Sequence, residues 1–315
     1  MRTAASLKQA IIPGIWRFAL LACACLGGLY LTDAVIGKST ELASLQVTPA
    51  LVGFLLPAQT ILLAWTLFCW KTIAMQAFGL KFAWDDALYH VGLTAVAKYI
   101  PGKIWGVVGK TLIAGQTGLS KAVMMQAAIY EQLLTLAVGA WFGLALYIIV
   151  DEPRGGAALA MTGLILVPLL FHVMLRHLQG VAARLPFIRR RMDTDLVFPV
   201  PSRTTVFHSV ALYLTLWLLT GLVVSSLLTV TGEALDPSII MRTTGSTMLA
   251  VCGGFLALFS PGGLVVREGI LVALLGPFLG PVNALQFALV MRIWNLAFDV
   301  FCVGLAAGVF LLLKR

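Results

Sequence analysis

The sequence predicts an all-α integral membrane protein: a single polytopic domain over residues 1–315, with about six full transmembrane helices plus two broken or re-entrant helical hairpins in an inverted repeat. Three observations carry this expectation. Of 315 residues, 60% are hydrophobic and 11% charged, with a mean hydropathy of +0.97, outside the balance of soluble domains. Several apolar runs are long enough to cross a hydrocarbon core of about 30 Å. Two apolar stretches are interrupted by Pro-Gly, which removes a backbone donor and a Cβ side by side. They are Lys98-Tyr99-Ile100-Pro101-Gly102-Lys103-Ile104-Trp105-Gly106 and the partial echo Leu258-Phe259-Ser260-Pro261-Gly262-Gly263-Leu264.

Taken in order, Arg2, Lys8 and Arg17 precede an apolar run from Phe18 to Ile36, read as an uncleaved first span with a cytoplasmic N-terminus. Pro49 to Trp70 reads as the second span, returning the chain at Lys71 and bearing Pro57 as a kink site. Asp85 to Thr117 is the first broken segment. Each of its arms, at about 15 residues, covers about 22 Å, which fits a re-entrant hairpin better than a crossing. Lys121 to Ile149 and Gly155 to Leu175 are spans on either side of Asp151-Glu152. The linker of about 176–203, with Arg184, Arg189, Arg190 and Arg191, is the most basic loop and is expected in the cytoplasm. Thr204 to Val230 leads to Glu233 and Asp236, Ile239 to Gly280 forms the second broken segment, and Val282 to Leu313 ends at Lys314-Arg315. The arm Ile239 to Ser260 is itself long enough to span.

Hairpin followed by long helix thus occurs twice, over about 85–150 and about 239–313, entered from opposite sides. The sequence echo is Gly118-Leu119-Ser120-Lys121-Ala122 against Gly280-Pro281-Val282-Asn283-Ala284. This is the pattern of an inverted repeat, and broken helices at membrane depth are a transporter signature. The expected location is a bacterial cytoplasmic (inner) membrane, with both termini inside. The excess of 22 Lys and Arg over 13 acidic residues, net +9, is assigned to cytoplasmic loops rather than to nucleic-acid binding. The five cysteines lie in apolar runs without metal spacing and read as small buried hydrophobes.

Charged residues inside apolar helices are costly unless paired or hydrated, so each marks a site or a structural contact. Glu131 falls about 15 Å into its helix, near the bilayer midplane. Arg292 has the same depth in the last helix, and Asn295 and Asp299 follow it at i+3 and i+7 as one polar stripe. Arg267 and Glu268 lie just past the second break as their expected partners. Lys98, Lys103 and Lys110 bracket the first, where a phosphate would meet cations and a half-helix N-terminus. Two readings stand for each. Glu131, Arg292 and Asp299 form either a headgroup or proton site or polar glue between helices, and the lysines bind phosphate or snorkel to the interface. Tyr99 and Trp105 read as interfacial anchors.

Other chemistry finds little footing. Gly109-Lys110-Thr111 imitates the end of a P-loop, but Ile104 stands where the first glycine belongs and no strand precedes it. The four histidines are scattered, and no Gly-x-Ser-x-Gly elbow is present. No cofactor and no metal are expected.

The stretch KYIPGKIWGVVGKTLIAGQTGLSKA with Glu131 beyond it, and SPGGLVVREG followed by Arg292, resemble the two signature regions of the lysylphosphatidylglycerol synthase transmembrane-region family. The resemblance runs over about residues 85–315. It implies a stand-alone relative of the flippase-like membrane domain of the multiple peptide resistance factor. The family's synthases carry an aminoacyl-transferase domain after the membrane part; the chain ends at Arg315, so aminoacyl transfer is not expected. Where the family often has Arg, Lys110 keeps the charge without bidentate geometry. The implied function is movement of a phospholipid or polyprenyl-phosphate-linked headgroup across the membrane, through Lys103, Lys110, Glu131, Arg267, Glu268, Arg292 and Asp299. The alternative is a membrane-embedded enzyme, or an accessory subunit beside a lipid-biosynthesis enzyme, with Glu131 or Glu268 as acid-base.

Overall fold

The structure, a computed structural model, describes residues 48–100, 104–116, 118–184, 200–257, 260–263 and 265–313. The expected first span, the tip Pro101-Gly102-Lys103 with its site residue Lys103, most of the basic linker and Lys314-Arg315 lie outside the described residues. Within them are nine α-helices and no strand: α1 Pro49–Phe78, α2 Trp84–Ala97, α3 Trp105–Gln116, α4 Lys121–Ile148, α5 Pro153–Arg184, α6 Arg203–Ser226, α7 Pro237–Leu256, α8 Val266–Leu279 and α9 Pro281–Leu313. Six described helices are long and apolar enough to cross a membrane: α1, α4, α5, α6 with its 3-10 extension to Thr231, α7 and α9. The sixth is α7, the arm whose length already allowed a crossing.

Local chemistry sets the ends. Thr48 caps α1 through Leu51 N–H, with Pro49 at the first helical position. Ser120 and Ser202 cap α4 and α6 in the same way. Asp236 accepts from Ser238 N–H and Ile239 N–H at the start of α7, and the Ser238 hydroxyl holds its carboxyl below the ordinary range. The expected end of α1 at Lys71 is corrected: the helix runs through Pro57 to Phe78 and stops at Gly79, whose φ of 67° is the left-handed cap that glycine adopts freely. Lys71 stays inside the helix because its ammonium donates to the Phe82 carbonyl and lies over the Phe82 and Trp84 rings.

The packing is reciprocal. Helices α2 and α3 pack on each other, as do α7 and α8; α3 packs on α4, and α8 on α9. Across the molecule, α2 lies on α9 while α7 lies on α4. Buried Leu51, Val224, Leu271, Leu275 and Phe287 join α1, α6, α8 and α9 in one core cluster; Ile73, Leu134, Phe171, Tyr213 and Met248 join α1, α4, α5, α6 and α7 in another.

The α4–α7 crossing depends on small residues. A Cβ added to Gly245 would stand 2.7 Å from the Gly143 carbonyl oxygen and 2.7 Å from the Tyr147 nitrogen, both backbone atoms that side-chain motion cannot relieve. Gly245→Ala is therefore expected to cost about 1–3 kcal/mol by overpacking, although alanine is the better helix former. Thermal unfolding in detergent measures this. Gly304→Ala, with open space around it, is the control whose melting temperature should not fall; an equally stable Gly245→Ala protein would refute the tight crossing.

At the α4–α5 turn, Arg242 of α7 is buried and makes two hydrogen bonds to Asp151, at 2.7 and 3.0 Å, with its guanidinium over the Phe278 ring. These bonds hold the exposed Asp151 carboxyl below its ordinary range.

Candidate functional site

The second sequence break meets the end of the arm that leads to the first. At the end of α2 the Lys98 carbonyl accepts a hydrogen bond of 2.8 Å from Gly262 N–H, in the Pro261–Gly263 turn between α7 and α8. Gly262 and Gly263 have φ of 60° and 72°, and a Cβ on Gly263 would lie 3.0 Å from Gly254 Cα. Both the left-handed backbone and the close approach require glycine there. Val265, with φ of 69°, is a strained β-branched residue immediately before α8.

Around this junction the charges pair between elements distant in sequence. Lys98 Nζ lies 2.6 and 2.7 Å from the two Asp299 oxygens, and Tyr99 Oη donates to the same carboxylate at 2.5 Å. Arg292 reaches Glu268 at 3.5 Å and the Gly262 carbonyl at 3.4 Å, with its guanidinium 5.7 Å from the Tyr99 ring centre. Lys110 bonds Glu131, whose other oxygen accepts from Tyr213 Oη at 2.8 Å, and its ammonium sits 3.7 Å from the Trp70 ring centre. Behind it, Trp70 Nε1 donates to His90 Nδ1 at 3.3 Å, leaving the ring proton of this fully buried histidine on Nε2.

These groups border a cavity of about 390 Å³. Its charged lining is Lys98, Lys110, Glu131 and Arg267; Thr66, Thr94, Gln132, Thr135, Thr220 and Asn295 supply much of the neutral polar lining. Asp299, Glu268 and Arg292 stand one layer behind, paired as described. Four cations, Lys98, Lys110, Arg267 and Arg292, thus face three carboxylates, Glu131, Glu268 and Asp299, and each carboxylate already has a cation. The surplus positive charge is Arg267. It is half-buried and makes no ion pair or hydrogen bond among the described residues.

The expected meeting of Glu268 with Arg292 is present, and Arg267 and Glu131 line the same cavity without touching. Of the two readings open for Lys110, burial replaces snorkelling: its side chain is 4% exposed because Glu131 and the Trp70 face replace water. One sequence reading is corrected. Tyr99 is not an interfacial anchor, since its hydroxyl is spent on Asp299 and its ring lies against Gly262 and Arg292. Tyr213 and the cavity threonines went unnoticed in the sequence, because a hydroxyl in an apolar helix carries no positional signal. Comparison with models of known protein families and with curated proteins finds no match for this chain.

Proposed function

We propose that the protein is a lipid transporter of the flippase type, in which the central cavity takes an anionic headgroup while the acyl or prenyl tails stay in the bilayer. The observation that carries this reading is the cavity itself. It is lined by residues from both broken segments and holds one guanidinium, Arg267, that makes no ion pair among the described residues. A cation in a low-dielectric site with no carboxylate in direct contact favours an anion from outside. Lys98, 41% exposed, leaves one wall open for entry.

The reciprocal packing supports reading α2, α3 and α4 and α7, α8 and α9 as two copies of an inverted repeat, with the short α2–α3 pair as a re-entrant hairpin and α7–α8 as its counterpart, in which α7 is long enough to span. The α2–α9 contact is then the counterpart of α7–α4, and α3–α4 of α8–α9. Rocking of one copy against the other would break and remake the Gly262–Lys98 contact where the cavity lies. The resemblance to the lysylphosphatidylglycerol synthase transmembrane-region family points to the same class of activity.

In the proposed orientation within a bacterial inner membrane, the Asp151 and Glu233 turns face outward and the basic linker faces the cytoplasm. In a cysteine-free background, Glu152→Cys and Ala234→Cys should react with an impermeant thiol reagent on intact cells, and Arg190→Cys only after permeabilisation. The reverse pattern would invert the topology.

The activity itself is tested in sealed liposomes carrying a headgroup-labelled anionic phospholipid. Protein should speed loss of the outer-leaflet signal to an impermeant quencher, with the lipid chemically unchanged. A rate equal to that of empty liposomes would remove the transporter reading, and a chemically altered lipid would assign the site to a membrane enzyme.

A further inference from the structure

We propose that the cavity selects a phosphorylated polyol: a headgroup in which an anionic phosphate is joined to several hydroxyl groups. This rests on the anionic-headgroup reading above and specifies the ligand of the same site.

The argument is a count of donors and acceptors on the cavity wall. Thr66 donates its hydroxyl proton to the Leu62 carbonyl, Thr94 to His90, Thr135 to Glu131 and Thr220 to Leu216, each at 2.8 Å. A hydroxyl has one proton and two lone pairs, so these four oxygens present acceptors only. Asn295 spends one N–H of its amide on the Met291 carbonyl at 2.6 Å, which leaves its oxygen as an acceptor and its second N–H as a donor. Thr247 Oγ1, also in the lining, is buried without a partner among the described residues. The Trp217 N–H is spent on the Thr135 carbonyl at 3.1 Å, so this side chain offers ring surface alone. The four threonine oxygens thus form an accepting surface on the neutral wall, beside a few neutral donors from Gln132, Thr247 and the second Asn295 N–H, while the strong donors are the cations Lys98, Lys110 and Arg267.

A ligand that satisfies both must present acceptors to the cations at one end and, at the other, groups that donate to the threonine oxygens and can also accept, as hydroxyls do. Phosphate oxygens meet the cations. Bare phosphate would leave the threonine oxygens facing further acceptors, or water. An ammonium group would satisfy the threonines but add positive charge to a site already carrying the Arg267 excess. Hydroxyl groups supply neutral donors, and their carbon skeleton suits the Trp217 ring. A volume of about 390 Å³ is at the small end of ligand pockets and suits one headgroup rather than an extended chain.

The test measures binding of short-chain lipids to the purified protein in detergent. Dihexanoyl phosphatidylinositol and phosphatidylglycerol should bind about tenfold or more tighter than dihexanoyl phosphatidic acid, the sum of a few neutral hydrogen bonds. Thr66→Val and Thr135→Val remove an acceptor at nearly constant shape, and each should cut the phosphatidylinositol-to-phosphatidic acid ratio by about fivefold. Because the ratio is taken within one variant, partial loss of folded protein cancels. Thr162→Val, on an exposed face of α5, should leave the ratio unchanged. Inositol 1-phosphate competing at equal strength would identify a soluble polyol phosphate as ligand, and absence of competition a lipid; either supports polyol selection. Equal affinities for phosphatidylinositol and phosphatidic acid, ratios unmoved by the valine variants, or tightest binding of phosphatidylethanolamine would overturn it. Phosphatidic acid binding unaffected by Arg267→Ala would instead sink the underlying anion site.

Discussion

Arg267→Ala is expected to abolish headgroup movement in sealed liposomes while leaving the protein inserted and about as stable as before. Both halves of this result follow from the charge balance. Arg267 is in direct contact with no described carboxylate, so its removal leaves each buried acid its own cation, and the Lys98–Asp299, Lys110–Glu131 and Arg292–Glu268 pairs persist. Its loss takes away the net positive charge and a charge-assisted contact to phosphate of about 1.5–3 kcal/mol, or roughly 10- to 150-fold in affinity. Arg267→Lys should retain part of the activity, since it keeps the charge and loses the planar fork. Arg292→Ala should behave differently. It leaves Glu268 buried beside an empty position, and Glu268 Oε2 already has no partner among the described residues, so the melting temperature should drop together with transport. A transport-competent Arg267→Ala protein, or one destabilised as much as Arg292→Ala, would show that Arg267 is a structural group.

Much of this arrangement is visible in the sequence for a simple reason. In lipid every charge and every helix break is expensive, so Glu131, Arg292, Asp299 and the two Pro-Gly breaks stand out against apolar surroundings. What stands out is position along the chain; pairing is decided by packing. That Lys98 meets Asp299 while Lys110 meets Glu131 depends on α2 lying on α9 and α3 on α4, contacts that no local pattern announces. Lys110 illustrates the ambiguity, because a long apolar stem ending in an ammonium suits a snorkelling residue and a buried one equally. Tyr99 was misread for the same reason: its amphipathic ring fits a membrane interface or a carboxylate in the core. The end of α1 was misplaced because Lys71 looked like a stop, whereas Gly79 carried the actual termination signal. The Arg242–Asp151 contact escaped notice because an acidic turn reads as solvent-facing, and only the α4–α7 crossing brings it to a buried arginine.

The Lys110–Glu131 pair separates structural glue from function. Glu131→Ala is expected to cost about 3–5 kcal/mol, because it leaves the Lys110 ammonium, 4% exposed, without a counter-charge and removes the acceptor of the Tyr213 hydroxyl. The same protein carrying Lys110→Met and Glu131→Gln together should recover most of that loss. Replacing a buried ion pair by well-packed neutral groups is commonly neutral or stabilising, methionine fills the space over the Trp70 ring, and glutamine still accepts from Tyr213. Thermal unfolding in detergent should therefore rank wild type and double variant together, with Glu131→Ala well below. Transport should rank them otherwise. Lys110 and Glu131 both line the cavity, and an entering phosphate would draw Lys110 away from Glu131, so the stable double variant should be as inactive in liposomes as the unstable single one. If the double variant is stable and still moves headgroups at the wild-type rate, the pair only holds α3 against α4, and the working charges of the cavity are Lys98 and Arg267 alone.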